Sequence, residues 1–143
     1  MLKIILTGPE SSGKTTLCNK LSKLFEISIV KEYAREYLDS INRNYSYVDK
    51  LLIAKNQIKL ENCKHEILFC DTDLITLKIW SEYKYSNCDK WILEQIELQK
   101  NEKRLYLLCK PDIPWEKDIL RENSKNRNEL FYVYKHELDK LEH

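Results

Sequence analysis

The clearest chemistry in this chain lies in Gly8-Pro9-Glu10-Ser11-Ser12-Gly13-Lys14-Thr15. The stretch fits GxxxxGK[ST], in which the glycines let successive backbone N–H groups curl around phosphate oxygens while the following helix turns its positive end toward them. Lys14 is expected to neutralise the β- and γ-phosphates of ATP, and Thr15 to set its hydroxyl on Mg²⁺. The expected cradle comprises Gly8, Glu10, Ser11, Ser12, Gly13, Lys14, Thr15 and Thr16. Gly8 and Gly13 are the only glycines in the chain.

Carboxylates follow at the positions such chemistry needs. Ile67-Leu68-Phe69-Cys70-Asp71 is an apolar run ending in an acid, and Asp71 is the expected second contact to the magnesium ion. Asp73, two residues on, can accept hydrogen bonds from a substrate or act as base, or can cap a helix beginning after it. Glu32 ends another apolar run, with Arg35 three residues later on the same helical face. These two can line a substrate site, with Glu32 taking a proton from an acceptor hydroxyl, or form ion pairs on a solvated surface. Residues 115–127 form a charged segment carrying Arg121 and Arg127. Arginines on a closing lid can grip transferring phosphate oxygens, or can pair with Asp118, Glu122 and Glu129.

Stepping strands and helices must hold these groups together. Residues 2–7 read as a strand running into the glycine loop, and 13–25 as a helix with apolar positions at Leu17, Leu21, Leu24 and Phe25. Strands are expected at 27–30, 66–70 and 104–109, and helices at 32–38, 48–62, 72–83, 90–100 and 130–141. Strands alternating with helices imply an α/β fold, a mostly parallel sheet with helices on both faces. The glycine loop makes it a P-loop NTPase fold, with the arginine-bearing segment as lid.

Composition sets the outer bounds. The 143 residues suit a single domain. A net charge of +1 provides no basic field for nucleic acid or acidic membranes. The five cysteines are never spaced as CxxC, which argues against a disulfide framework or a zinc site and for reduced, cytoplasmic thiols. The opening apolar run is too short for a signal peptide or a membrane span. The closing Leu141-Glu142-His143 matches the start of a common expression tag and carries no functional expectation.

GPESSGKTTL at 8–17, VKEYAREYL at 30–38, Gln57, FCDTDLITLKIWSEYKY at 69–85 and LCKPDIPWEKDILREN at 108–123 resemble the ribosylnicotinamide kinase domain of NadR-type proteins over roughly residues 1–135. The resemblance implies transfer of the ATP γ-phosphate to the 5′-hydroxyl of nicotinamide riboside, giving nicotinamide mononucleotide for NAD synthesis. It implies that Lys14 and Thr15 hold ATP and magnesium, that Asp71 and Asp73 flank the acceptor, and that Arg121 and Arg127 belong to the lid. Glu32 and Arg35 would line the same cleft. Trp80, Tyr83 or Trp115 would stack on the pyridinium ring, with packing the alternative for Trp80. Set against the family pattern, a preceding adenylyltransferase domain and a final strand are expected to be missing, and the missing strand would leave a sheet edge exposed.

The expectation is thus an ATP- and Mg²⁺-dependent nucleoside kinase with Glu32 or Asp73 as base. The alternative is a regulatory P-loop ATPase that acts as a nucleotide switch on a protein partner.

Overall fold

The computed structural model describes residues 1–9, 12–110 and 127–141. Its strands are β1 (Leu2–Thr7), β2 (Ile29–Val30), β3 (Ile67–Asp71) and β4 (Lys103–Leu108). Its helices are α1 (Lys14–Phe25), α2 (Tyr33–Ile41), α3 (Tyr47–Glu61), α4 (Leu74–Tyr85), α5 (Lys90–Gln99) and α6 (Arg127–Leu141). The strands form one sheet in the order β2-β3-β1-β4, every neighbouring pair parallel. Among the described residues no helix is long and apolar enough to cross a membrane.

Strand alternation divides the core between the two faces. Leu6 and Phe69 pack with Cys18 of α1, flanked by Ile4, Leu21, Ile29 and Leu107. Ile5, Val30, Leu68 and Cys70 point the other way. That side is covered by a larger cluster drawn from α2 to α6, including Ile53, Leu74, Ile75, Ile92, Leu130 and Tyr134. The expected helices on both faces are therefore present, unequally shared.

Several boundaries differ from the sequence expectation, each for a local reason. Helix α2 starts after Glu32, which is extended at φ −65° and ψ 105°, and it continues to Ile41. Helix α4 starts after Asp73, whose side chain accepts the Ile75 N–H. Arg127, expected in the lid loop, is the first residue of α6. The first two starts were expected one or two residues early, because Glu32 and Asp73 are N-caps outside the helix, and the last one three residues late, because the polar first turn of α6 lies outside the apolar period. Helix α1 faces the sheet through Cys18 and Leu21, and Leu24 and Phe25 are left 73% and 59% exposed.

Candidate functional site

Register brings the chemistry to one end of the sheet. Leu6 stands beside Asp71 and Thr7 beside Leu108, so β1, β3 and β4 finish together. Ligands of open α/β sheets bind at such carboxyl ends. The glycine loop leaves β1 there, and the Cys109 N–H bonds the Thr7 carbonyl at 2.8 Å beneath it. Gly8 has φ +143°, and a Cβ there would stand 2.7 Å from the Cys109 carbonyl oxygen. Gly13 is left-handed at φ 80° where α1 begins. Both glycines are thus required by geometry, one sterically and one conformationally.

Lys14 and Thr15 open α1. The Thr15 hydroxyl donates to Asp71 Oδ2 at 2.7 Å, joining the helix start to the end of β3. Asp71 is 3% exposed, and its Oδ1 is buried without a partner. The buried Ser12 hydroxyl, also unpartnered, lies beside Gly8. A hydroxyl paired with a carboxylate that keeps an oxygen in reserve is a donor set suited to magnesium. Among the described residues no three His, Cys, Asp or Glu side chains cluster for a metal. Thr16 is exposed on α1, and Glu10 and Ser11 lie outside the described residues.

Beyond Asp71 the chain turns sharply. Thr72 is left-handed at φ 71°, an uncommon state for a β-branched residue, and its N–H bonds the Leu6 carbonyl at 2.9 Å. Backbone in such sparsely populated regions clusters at ligand sites. Next to this turn is a small cleft. Glu32, Thr72, Asp73 and Thr76 provide its polar wall together with Gln57, and Ala34, Ile53, Leu77 and Trp80 the apolar one. Sequence reasoning anticipated Glu32 and Asp73 here. Arg35 is exposed and absent from the lining, because Ala34, not Arg35, occupies the inward face of α2. Arg121 and Trp115 lie outside the described residues.

The two candidate bases differ in their engagements. Asp73 Oδ1 caps α4 through the Ile75 N–H at 3.1 Å. Its Oδ2 accepts from Arg104 Nη2 at 2.8 Å and from the Tyr106 hydroxyl at 2.6 Å. Arg104 also donates to Glu61 at 3.0 Å and Glu102 at 2.8 Å, and Lys3 reaches the same two carboxylates. Burial pushes the Glu61 carboxyl up, against the pull of Arg104. Burial also raises the Tyr106 hydroxyl, reinforced by the Asp73 charge. Asp73 therefore supports the cleft floor, with both oxygens committed. Glu32 borders the cleft at the start of α2, and its side chain does not cap that helix.

Trp80, expected to stack on a pyridinium ring or to pack, stands in the cleft wall. Its Nε1 donates to the Tyr45 hydroxyl at 3.1 Å, and its ring lines the cleft. The cation over that ring is the protein's own: Lys50 Nζ lies 3.7 Å from the centroid. Tyr83, by contrast, is 45% exposed and absent from the lining. Lys50 is itself buried, as are Gln57 and Glu61 on the same helix. Periodicity missed all three, because it treats polar residues as outward-facing; Gln57 was noticed only through the family resemblance. The cysteines are free, and burial raises the Cys18 thiol to about 12, which makes it inert.

Known proteins agree with this architecture. A family model described as an AAA domain matches residues 3–143. The trifunctional NAD biosynthesis/regulator proteins NadR of Salmonella typhimurium and Escherichia coli are each 30% identical over 129 residues, covering 82% of this chain. The chain spans 30% of the length of each. A crystal structure of NadR protein in complex with NR matches with a TM-score of 0.72 at 22% identity, over 97% of this chain and 42% of that one. A second, in complex with NAD and AMP-PNP, matches with a TM-score of 0.71 at 24% identity, over 99% of this chain and 41% of that one. The glycine loop, parallel sheet and these matches establish a P-loop NTPase fold.

Proposed function

The chain belongs to the AAA domain family, and from that premise we propose that it is an ATP-dependent kinase for a small nucleoside, with nicotinamide riboside as acceptor. The carrying observation is the junction at Asp71. On one side its carboxylate meets the Thr15 hydroxyl of the phosphate loop, and immediately on the other the chain enters the cleft bordered by Glu32, Thr72 and Asp73. A γ-phosphate in the loop and a hydroxyl in the cleft would thus lie on either side of one short turn. The NadR resemblance supports the choice of acceptor.

Backbone N–H groups of the glycine loop, Pro9 excepted, and the Lys14 ammonium hold the phosphates and neutralise charge that develops on them. Thr15 and Asp71 would hold magnesium, which supplies further charge neutralisation. Glu32 takes the proton of the acceptor hydroxyl as its oxygen bonds the γ-phosphorus and the bond to the departing ADP oxygen breaks. Asp73, bound to Arg104 and Tyr106, fixes the cleft floor and is the weaker candidate for base. Arg121 and Arg127 are proposed to close over the phosphates, and Trp115 to contact the acceptor. The protein works as a cytoplasmic enzyme on small molecules.

Incubation with Mg-ATP and a nucleoside panel, followed by mass spectrometry, tests the reading. Phosphorylated nicotinamide riboside is expected, and absence of any phosphorylated nucleoside overturns it.

A further inference from the structure

Gln57 lines the cleft yet only half of its amide is used. The Tyr33 N–H donates to Gln57 Oε1 at 3.1 Å, and Nε2 is buried with no hydrogen-bond partner. The assignment of the two amide atoms is not arbitrary, because a backbone N–H can only donate and so must face the oxygen. Tyr33 is the first residue of α2, directly after Glu32. The contact therefore locks the amide plane against the element that carries the proposed base. The residue is 3% exposed, so water does not compensate freely for the missing partner. A buried donor left unmade is unfavourable, and in native proteins such groups call for a partner.

We infer that Gln57 is a specificity-determining residue whose Nε2 donates a hydrogen bond to an acceptor oxygen of the substrate bound in the cleft. This deepens the kinase reading and rests on it. The oxygen belongs either to a ring carboxamide carbonyl or to a sugar hydroxyl. A site with a fixed donor admits a ligand with oxygen at that point and discriminates against one with hydrogen there, since the donor then stays unpaired.

Calorimetric binding to the full chain tests the inference with nicotinamide riboside, its analogue lacking the carboxamide, and its 2′-deoxy and 3′-deoxy analogues. The variant of choice is Gln57→Glu, which keeps an acceptor for the Tyr33 N–H and removes only the donor. In the wild-type protein one deletion analogue should bind about tenfold more weakly than the parent, and in Q57E that difference should vanish. Loss with the carboxamide deletion identifies the carbonyl as partner, and loss with a deoxy analogue identifies the hydroxyl. Should Q57E fail to fold, Gln57→Met carries the same comparison at similar volume. All four ligands share the pyridinium charge, so its attraction to the new carboxylate of Q57E cancels, and Gln57→Met, which offers no carboxylate, is measured alongside because a sugar hydroxyl or carboxamide N–H could donate to that carboxylate. Equal discrimination in wild-type and variant overturns the inference alone. Failure of the wild-type protein to bind any of the four overturns the kinase reading and the inference with it.

Discussion

At the residue scale, the division of labour proposed for Glu32 and Asp73 is open to direct test. Sequence left them equivalent, since each follows a strand end and each is a carboxylate. Asp73 has both oxygens bound, to the Ile75 N–H, Arg104 and the Tyr106 hydroxyl, and supports the cleft floor, while Glu32 borders the cleft where α2 begins. Glu32→Gln should therefore slow turnover by about 100-fold or more with little change in melting temperature. Asp73→Asn should lower the melting temperature, because Arg104 loses a buried countercharge. Steady-state rates and thermal denaturation of both variants decide the matter; a stable D73N with E32Q-like loss of rate would reverse the assignment. The phosphate loop was legible because its chemistry fixes residue type at each position. Gln57, Lys50 and Arg104 were illegible as buried groups because a polar residue is ordinarily read as solvent-facing.

At the element scale, α2 and α3 are joined by a polar clasp in addition to the apolar cluster they share. Arg43 forks onto both oxygens of Asp49 at 2.8 and 2.9 Å, Tyr37 donates at 2.7 Å, and the Ser46 N–H donates at 2.7 Å. Arg43 chiefly, against the opposing effect of burial, holds the Asp49 carboxyl well below the usual carboxylate range. A carboxyl with a depressed folded value stabilises the fold above its unfolded value of about 3.9, and that contribution disappears as pH falls toward the folded value. Stability in urea should accordingly decline below about pH 4, and Asp49→Asn should be less stable at neutral pH while showing a shallower acid decline. An unchanged acid decline in D49N would remove this explanation. The existence and type of these helices were legible from apolar spacing. Their ends were not, because Glu32, Asp73 and Arg127 mark boundaries through backbone geometry and capping, which the apolar period does not record.

At the scale of the whole molecule, the Arg104 network ties the sheet to the site. Its guanidinium, fully shielded from solvent, bridges Glu61 at the end of α3, Asp73 before α4 and Glu102 before β4. Lys3 on β1 joins the same acids. Removing one partner of a buried ionic cluster leaves uncompensated charge, so Arg104→Met should lose about 3–5 kcal/mol of stability in urea unfolding. A loss below about 1 kcal/mol would mean that the carboxylates relax to other partners.

The central claim is that the phosphate loop and the adjoining cleft act as one phosphoryl-transfer site. Its most direct measurement is a single-turnover reaction of γ-labelled ATP, magnesium and nicotinamide riboside, with the products separated and counted. Label is expected in nicotinamide mononucleotide, abolished by Lys14→Ala. Label found only in inorganic phosphate, unaffected by the nucleoside, would contradict it.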